Sequence, residues 1–321
     1  MTDRDRTILP TALDRGDGGA LVLGIGGGGD VVGALTIARE IERSGRPVEL
    51  GGVSWERFAV DPHHAGPRPL DHLSGVERFG GAAALTGPQG RTPEGVRLAE
   101  AGVAAHLGRD VALVDVNFGP PEIAAGIETL ADRLGCGLVL LLDVGGDVLA
   151  TGSEPGLSSP LCDALMLAAA VHLPDRLTVL GCAYGAGCDG ELTVPEVLGR
   201  IAVLARETSW LGTISPGHEA ARETIDLAES VPTEASLLAA RCALGETGPT
   251  EIRGGRRQVE LGPPGALGFL FDARRAVGTA APLADLIASC ASIEEARAAM
   301  EGRGIRTELD YERERVAESN A

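Results

Sequence analysis

Leu21-Val22-Leu23-Gly24-Ile25-Gly26-Gly27-Gly28-Gly29-Asp30-Val31-Val32-Gly33-Ala34 decides the fold. A short apolar run enters a cluster of glycines, meets an acid, and continues into a helix-like segment over residues 35–43. That is how a buried parallel strand passes through a tight turn into a helix. Glycine admits positive φ and lets a ligand approach the main chain closely. The N–H groups at the start of the following helix lack intrahelical partners and attract anions. Gly26, Gly27, Gly28, Gly29 and Asp30 are therefore candidate substrate-binding residues.

Working outward, further apolar runs occupy residues 47–53, 111–116, 138–144 and 177–182. Helix-like segments at 96–107, 120–134, 160–173 and 195–208 separate or follow them. Strands alternating with helices predict an α/β fold: a Rossmann-like, doubly wound, mostly parallel sheet with helices on both faces. Later segments read as helices at 218–229, 233–244 and 293–300, and as strands at 257–261 and 268–271. Residues 1–18 read as a polar leader and 19–305 as a single α/β domain. Residues 306–321 form a charged tail expected to fray. Within the domain, residues 54–95 read as a long irregular loop rich in glycine and proline, the kind that is functional or mobile.

Composition narrows the function. The 321 residues are 44% hydrophobic but only 3% aromatic, so the core is aliphatic. A formal net charge of −18 argues against nucleic acid and an anionic membrane as partners. A small-molecule substrate fits better, and self-association into a homo-oligomer stays open. There is no lysine; every basic residue is arginine. Pyridoxal phosphate on a lysine, Schiff-base lysines and a P-loop lysine are thereby excluded. The six cysteines form no C-x-x-C pair, and their spacing suits no zinc finger or ribbon. The N-terminus lacks a signal-peptide core and no apolar run reaches membrane-spanning length, so the expected location is cytoplasmic.

Several acids fall just after inferred strands: Asp30, Asp115, Asp143, Asp147, Asp189 and Glu191. The carboxyl ends of the strands form the binding crevice in open α/β sheets, so these acids can converge. Converging carboxylates need a divalent cation, arginines, a cationic substrate or shared protons. Asp143-Val144-Gly145-Gly146-Asp147 is the strongest signal, and Asp143 and Asp147 are the candidate metal ligands. Asp143, Asp147, Asp189 and Glu191 are the candidate catalytic residues, with Asp189 and Glu191 supplying further ligands or base capacity. Asp30 suits a helix N-cap equally well, and Asp115 with Asn117 suits a turn brace. Arg57, Arg68 and Asn117 complete the candidate substrate-binding set, the arginines as clamps for a carboxylate or phosphate.

Other readings compete. Gly24-x-Gly26-x-x-Gly29 satisfies the dinucleotide fingerprint, with Glu49 near the ribose position. Asp30 would oppose a pyrophosphate, however, and Glu49 falls within the second strand, so NAD is disfavoured. His63, His64 and His218 are weaker base candidates. Cys182 reads as core and Cys188 as a weak nucleophile candidate.

The loop over residues 25–33, Trp55-Glu56-Arg57, Asp143-Val144-Gly145-Gly146-Asp147 and Gly187-Cys188-Asp189-Gly190-Glu191-Leu192 together resemble the domain-of-unknown-function family numbered eleven fifty-two. That resemblance spans most of the chain and implies no established activity. A weaker likeness is to the D-glutamate cyclase domain, whose motif resembles Asp-Gly-Gly-Asn-Glu; Asp143-x-Gly-Gly-Asp147 departs from it. The leading expectation is a soluble enzyme using Mg²⁺ on a small anionic metabolite, by hydrolysis, lyase or group-transfer chemistry. A metal-free amino-acid cyclase and a nucleotide-binding regulatory module without turnover are the alternatives.

Overall fold

The structure is a computed structural model and describes residues 10–319. Along the chain run strands β1 (Gly19–Gly24), β2 (Val48–Val53), β3 (Ser74–Arg78), β4 (Ala83–Arg91), β5 (Val111–Val114), β6 (Cys136–Val144) and β7 (Thr178–Tyr184). They continue with β8 (Trp210–Ile214), β9 (Gly248–Ile252), β10 (Arg257–Leu261) and β11 (Gly268–Asp272). The helices are α1 (Asp30–Arg43), α2 (Ala99–Leu107), α3 (Pro120–Leu134), α4 (Pro160–Ala168), α5 (Val194–Arg206) and α6 (His218–Ala228). After them come α7 (Glu234–Ala243), α8 (Ala273–Val277), α9 (Pro282–Ile287), α10 (Ile293–Glu301) and α11 (Glu308–Ser319).

Nine strands make one sheet in the order β3-β4-β5-β2-β1-β6-β7-β11-β8. Its centre, β5-β2-β1-β6-β7, is parallel throughout, as the five apolar runs predict. The register sets Leu21 beside Val139 and Leu23 beside Leu141. Because side chains alternate along a strand, those four residues face one side of the sheet, packed with α3, α4, α5, α8, α9 and α10. Ala20, Val22, Leu138 and Leu140 face the other side, packed with α1, α2 and α7. Each fully buried Leu, Val or Ile stabilises the fold by about 1.5–3 kcal/mol. Chain order reverses between β1 and β6: β2 and β5 lie outward on one side of β1, β6 and β7 on the other. Loops leaving their carboxyl ends frame a crevice at this switch point.

Some elements differ from the sequence reading. Residues 54–95 are not one irregular loop: β3 and β4 form an antiparallel hairpin that extends the sheet beyond β5. At the opposite side β11 and β8 add two further strands, β11 antiparallel to β7. Helix α4 stops at Ala168, and a 3₁₀ turn, Ala169–His172, completes the segment read as one helix. Of the polar leader, residues 1–9 lie outside the described residues, while Ala12 and Leu13 are buried in a 3₁₀ turn.

The charged tail does not fray over its described length. It forms α11, whose Glu312 carboxylate accepts hydrogen bonds from Trp55 Nε1 at 3.0 Å, Phe58 N at 3.3 Å and Gly66 N at 2.7 Å. Glu308 accepts from Leu161 N and Cys162 N at 3.0 and 2.9 Å, at the positive end of α4. Glu308 and Glu312 thus satisfy buried donors instead of facing water. No helix among the described residues is long and apolar enough to cross a membrane.

A carboxylate-lined candidate active site

The loops after β1, β6 and β7 meet at one cavity of about 1250 Å³. Its lining includes Gly26, Gly27, Gly28, Gly29 and Asp30 from the first loop, Asp143 and Asp147 from the second, and Asp189 and Glu191 from the third. The convergence expected from the strand positions is therefore present.

Asp30 is the first residue of α1 and Gly29 its N-cap, so Asp30 does not cap that helix with its side chain. Its Oδ2 instead accepts hydrogen bonds from Gly26 N at 2.9 Å and Val144 N at 3.4 Å, tying the first loop to the second. A Cβ on Gly26 would fall 2.6 Å from Asp30 Oδ2 and 3.1 Å from Asp163 Oδ1; glycine is what lets these two carboxylates close over the loop. Asp143 Oδ2 accepts from Gly146 N at 2.8 Å and Val148 N at 3.4 Å, which holds the Gly145-Gly146 turn. Gly145 has φ +140°, and a Cβ there would press within 2.3 Å of the Asp189 carboxyl carbon.

Oxygens of Asp30, Asp143 and Asp163 lie within 4.8 Å of one another, and those of Asp147, Asp189 and Glu191 form a second such group. Asp143 and Asp147, read from sequence as one ligand pair, thus belong to different groups. The two groups also differ in what neutralises them. Glu191 accepts from the amides and hydroxyls of Ser158 and Ser159 and from Arg253 Nη2 at 3.0 Å. Burial acts to raise its pKa, but Ser159 and Arg253 outweigh that and hold it below the usual range. Its hydrogen bonds anchor the Ser158-Ser159 turn and favour the charged form of Glu191. Asp163 is the reverse case. It is only 2% exposed, and its Oδ1 has no hydrogen-bond partner among the described residues.

Among the described residues, none of Asp30, Asp143, Asp147, Asp163 or Asp189 makes an ion pair with an arginine, whereas Glu308 pairs with Arg57 and Glu191 with Arg253. Burial pushes Asp143 up to about 7. Burial and the neighbouring Asp143 push Asp30 up to about 8. Asp147, Asp163 and Asp189 rise well above the carboxylate range, from burial first and then from the charge of Asp143 on Asp147 and Asp163 and of Glu191 on Asp189. Crowded buried acids of this kind hold protons near neutral pH or take up a cation.

Arg57 is at the cavity as predicted. Its guanidinium stacks on the Trp55 ring at 4.6 Å, donates to Gly26 O and faces Glu308, so it fastens the glycine loop to α11. Arg68 and Asn117 do not line the cavity. Arg68 is buried against Asp61, with Nε–Oδ2 at 2.7 Å, and reaches Glu94. Asn117 donates to Asp115 at 2.7 Å and to Pro67 O at 3.2 Å, and Asp115 accepts from Leu70 N at 3.1 Å. This is the turn-brace role open from the sequence. His63, His64 and His218 are also absent from the lining; His64 Nε2 lies 3.3 Å from Pro67 O. Glu49 sits inside β2 and pairs with Arg109. Cys182 is core, and the hydrogen bond between Cys188 and Cys242, with burial second, raises the Cys188 thiol pKa, the wrong direction for a nucleophile.

Sequence reasoning missed Asp163, Arg253, Glu308 and the serines. Asp163 carried a signal: it is an acid within Leu161-Cys162-Asp163-Ala164-Leu165-Met166, apolar on every side. A helix apolar all round is buried, and an acid inside it needs a partner.

No curated protein and no solved structure matches the chain. The model of one protein family, described as protein of unknown function (DUF1152), matches residues 21–316, nearly the whole length. The chain belongs to the DUF1152 family.

Proposed function

We propose that this protein is an enzyme acting on a small anionic metabolite with the help of a divalent cation, Mg²⁺ being the expected ion. The observation that carries this reading is the orphaned Asp163 Oδ1, buried within a group of three carboxylates that faces a substrate-sized cavity. Hard divalent cations take oxygen ligands, and Asp30, Asp143 and Asp163 offer three. Among the described residues none of the three is ion-paired with an arginine, although the charge of Arg57 reaches Asp30 and Asp163. A cation there would supply Lewis-acid polarisation of a substrate oxygen or of water. This shifts the ligand set from Asp143 and Asp147 to Asp143 with Asp30 and Asp163.

Asp147 then serves as the base. It is buried and lines the cavity, and its pKa, raised well above the carboxylate range by burial and neighbouring acids, would fall again beside a bound cation, leaving a carboxylate able to take a proton. Asp189 braces it from the third loop, and Glu191 fixes the wall. Hydrolysis, elimination and group transfer all use this set of a polarised oxygen and a base.

A turnover screen of anionic metabolites, run with Mg²⁺ and with chelator, tests the proposal. Turnover that needs the metal supports it. Turnover untouched by chelation overturns the metal role and favours metal-free carboxylate chemistry of the cyclase kind.

A further inference from the structure

Strands β9 and β10 form a separate two-stranded hairpin outside the main sheet. Its apolar side is fixed: Ile252, Val259 and Leu261 are buried in the core on the α1 face. Ile252 and Val259 come within 3.1 Å of where a Cβ on Gly190 would stand, so the hairpin packs directly on the third site loop. Its tip reads Arg253-Gly254-Gly255-Arg256-Arg257. Three arginines in five residues stand at the mouth of a cavity whose floor is acidic, and all three line it.

Two of these arginines are held in place. Arg253 reaches Glu191 Oε1 at 3.0 Å and Asp189 O at 3.4 Å. It does so from φ +53°, a left-handed conformation uncommon outside glycine. Such strain persists where the surroundings enforce it, and it collects at functional sites. Arg257 donates to Gly190 O at 2.8 Å and Ser158 Oγ at 3.0 Å. Arg256 is different. Its Nε donates to Arg253 O at 2.8 Å, and among the described residues neither terminal nitrogen has a partner, although the chain has 46 acids for 28 basic residues.

We infer that this hairpin is a phosphate clamp: it binds a phosphate group carried by the substrate at a distance from the reacting centre. The inference rests on reading the cavity as a substrate site. An acidic floor repels an anion, so an anionic substrate needs its own cationic anchor, and the hairpin tip places one at the rim. One guanidinium matches a planar carboxylate, whereas a tetrahedral dianion takes donors from several sides at once. Arg256 supplies the free fork, and Arg257, which among the described residues donates only to Gly190 O and Ser158 Oγ, adds positive charge beside it, while Arg253 is paired with Glu191 and holds the tip in place. The phosphate itself undergoes no bond change; it orients the molecule so that its far end lies over Asp143 and Asp147.

Inorganic phosphate titrated calorimetrically into the full chain tests this, with succinate as the carboxylate probe and Mn²⁺ titrated separately. The expected result is phosphate binding that Arg256→Ala weakens about tenfold or more and Arg256→Lys weakens less. Arg222→Ala, an exposed change on α6, should leave it unaltered. No phosphate binding by the wild type, or equal binding by Arg256→Ala, overturns the clamp. Succinate bound as tightly with the same Arg256 dependence overturns the choice of phosphate. Mn²⁺ binding without phosphate binding refutes the clamp and leaves the metal reading standing; phosphate binding without Mn²⁺ binding does the opposite.

Discussion

Asp163 sits one turn into α4 with an oxygen that nothing satisfies, and that residue concentrates the argument. A buried acid of this kind costs stability unless a ligand compensates it. Asp163→Asn removes one of the crowded charges and keeps the shape. The metal-free variant should therefore melt at or above the wild-type temperature, while stabilisation by Mg²⁺ is lost; paired thermal melts with and without Mg²⁺ check both halves. A purely structural Asp163 would instead give a lower melting temperature with the Mg²⁺ response intact. Asp147→Asn addresses the base. Turnover should fall about 10²–10⁴-fold, the usual worth of general base catalysis, with little change in the melt. Retained turnover would exclude Asp147 from that role. At this scale the sequence was legible where an acid follows a strand, as at Asp143, Asp147 and Asp189. It was illegible at Arg68, because a loop residue's neighbours are set by other segments and Asp61 and Glu94 claim it first, while at Asn117 the turn-brace reading prevailed over the substrate-binding one.

Helix α11 shows how an element's charge can mislead. Its run of acids and arginines looks like a solvated tail, yet Glu312 satisfies three N–H donors of the 55–66 segment and Glu308 caps α4. Glu312→Ala would strand those donors. Each buried unsatisfied donor costs about 1–3 kcal/mol, so the variant should lose at least about 2 kcal/mol in a denaturant titration. A loss below about 0.5 kcal/mol would show that α11 is merely resting on the surface. The β3–β4 hairpin was hidden for a related reason. Strand β3 is an edge strand, exposed on nearly every residue, and it has no apolar alternation to read. Strand β8 is likewise an edge with exposed Trp210. By contrast β1 and β6 are buried on both faces, and their unbroken apolar runs announce them.

The whole molecule couples its buried acids to pH. Away from the cavity, Glu56 and Glu100 are buried together; burial raises Glu56 to about 7, and burial with the Glu56 charge raises Glu100 well above its ordinary value. Both hold protons in the folded state that the unfolded chain releases near 4.5. Their contribution is thus fully present below that value and is lost as pH rises through about 7 for Glu56. Glu100→Gln removes one of the two titrations. Its melting temperature should fall less than that of the wild type between pH 5 and pH 8. Equal falls would mean that these acids are not the source. That the five apolar runs are parallel strands of one sheet, with a cleft at their carboxyl ends, followed from their alternation with helices; the order of the strands and the antiparallel margins did not. The central claim remains the cation held by Asp30, Asp143 and Asp163, and a calorimetric titration of Mn²⁺ into wild type and Asp163→Asn tests it most directly. Saturable wild-type binding, weakened about tenfold or more in the variant and accompanied by proton release, is the predicted result. Absence of wild-type binding, or equal binding by the variant, would contradict it.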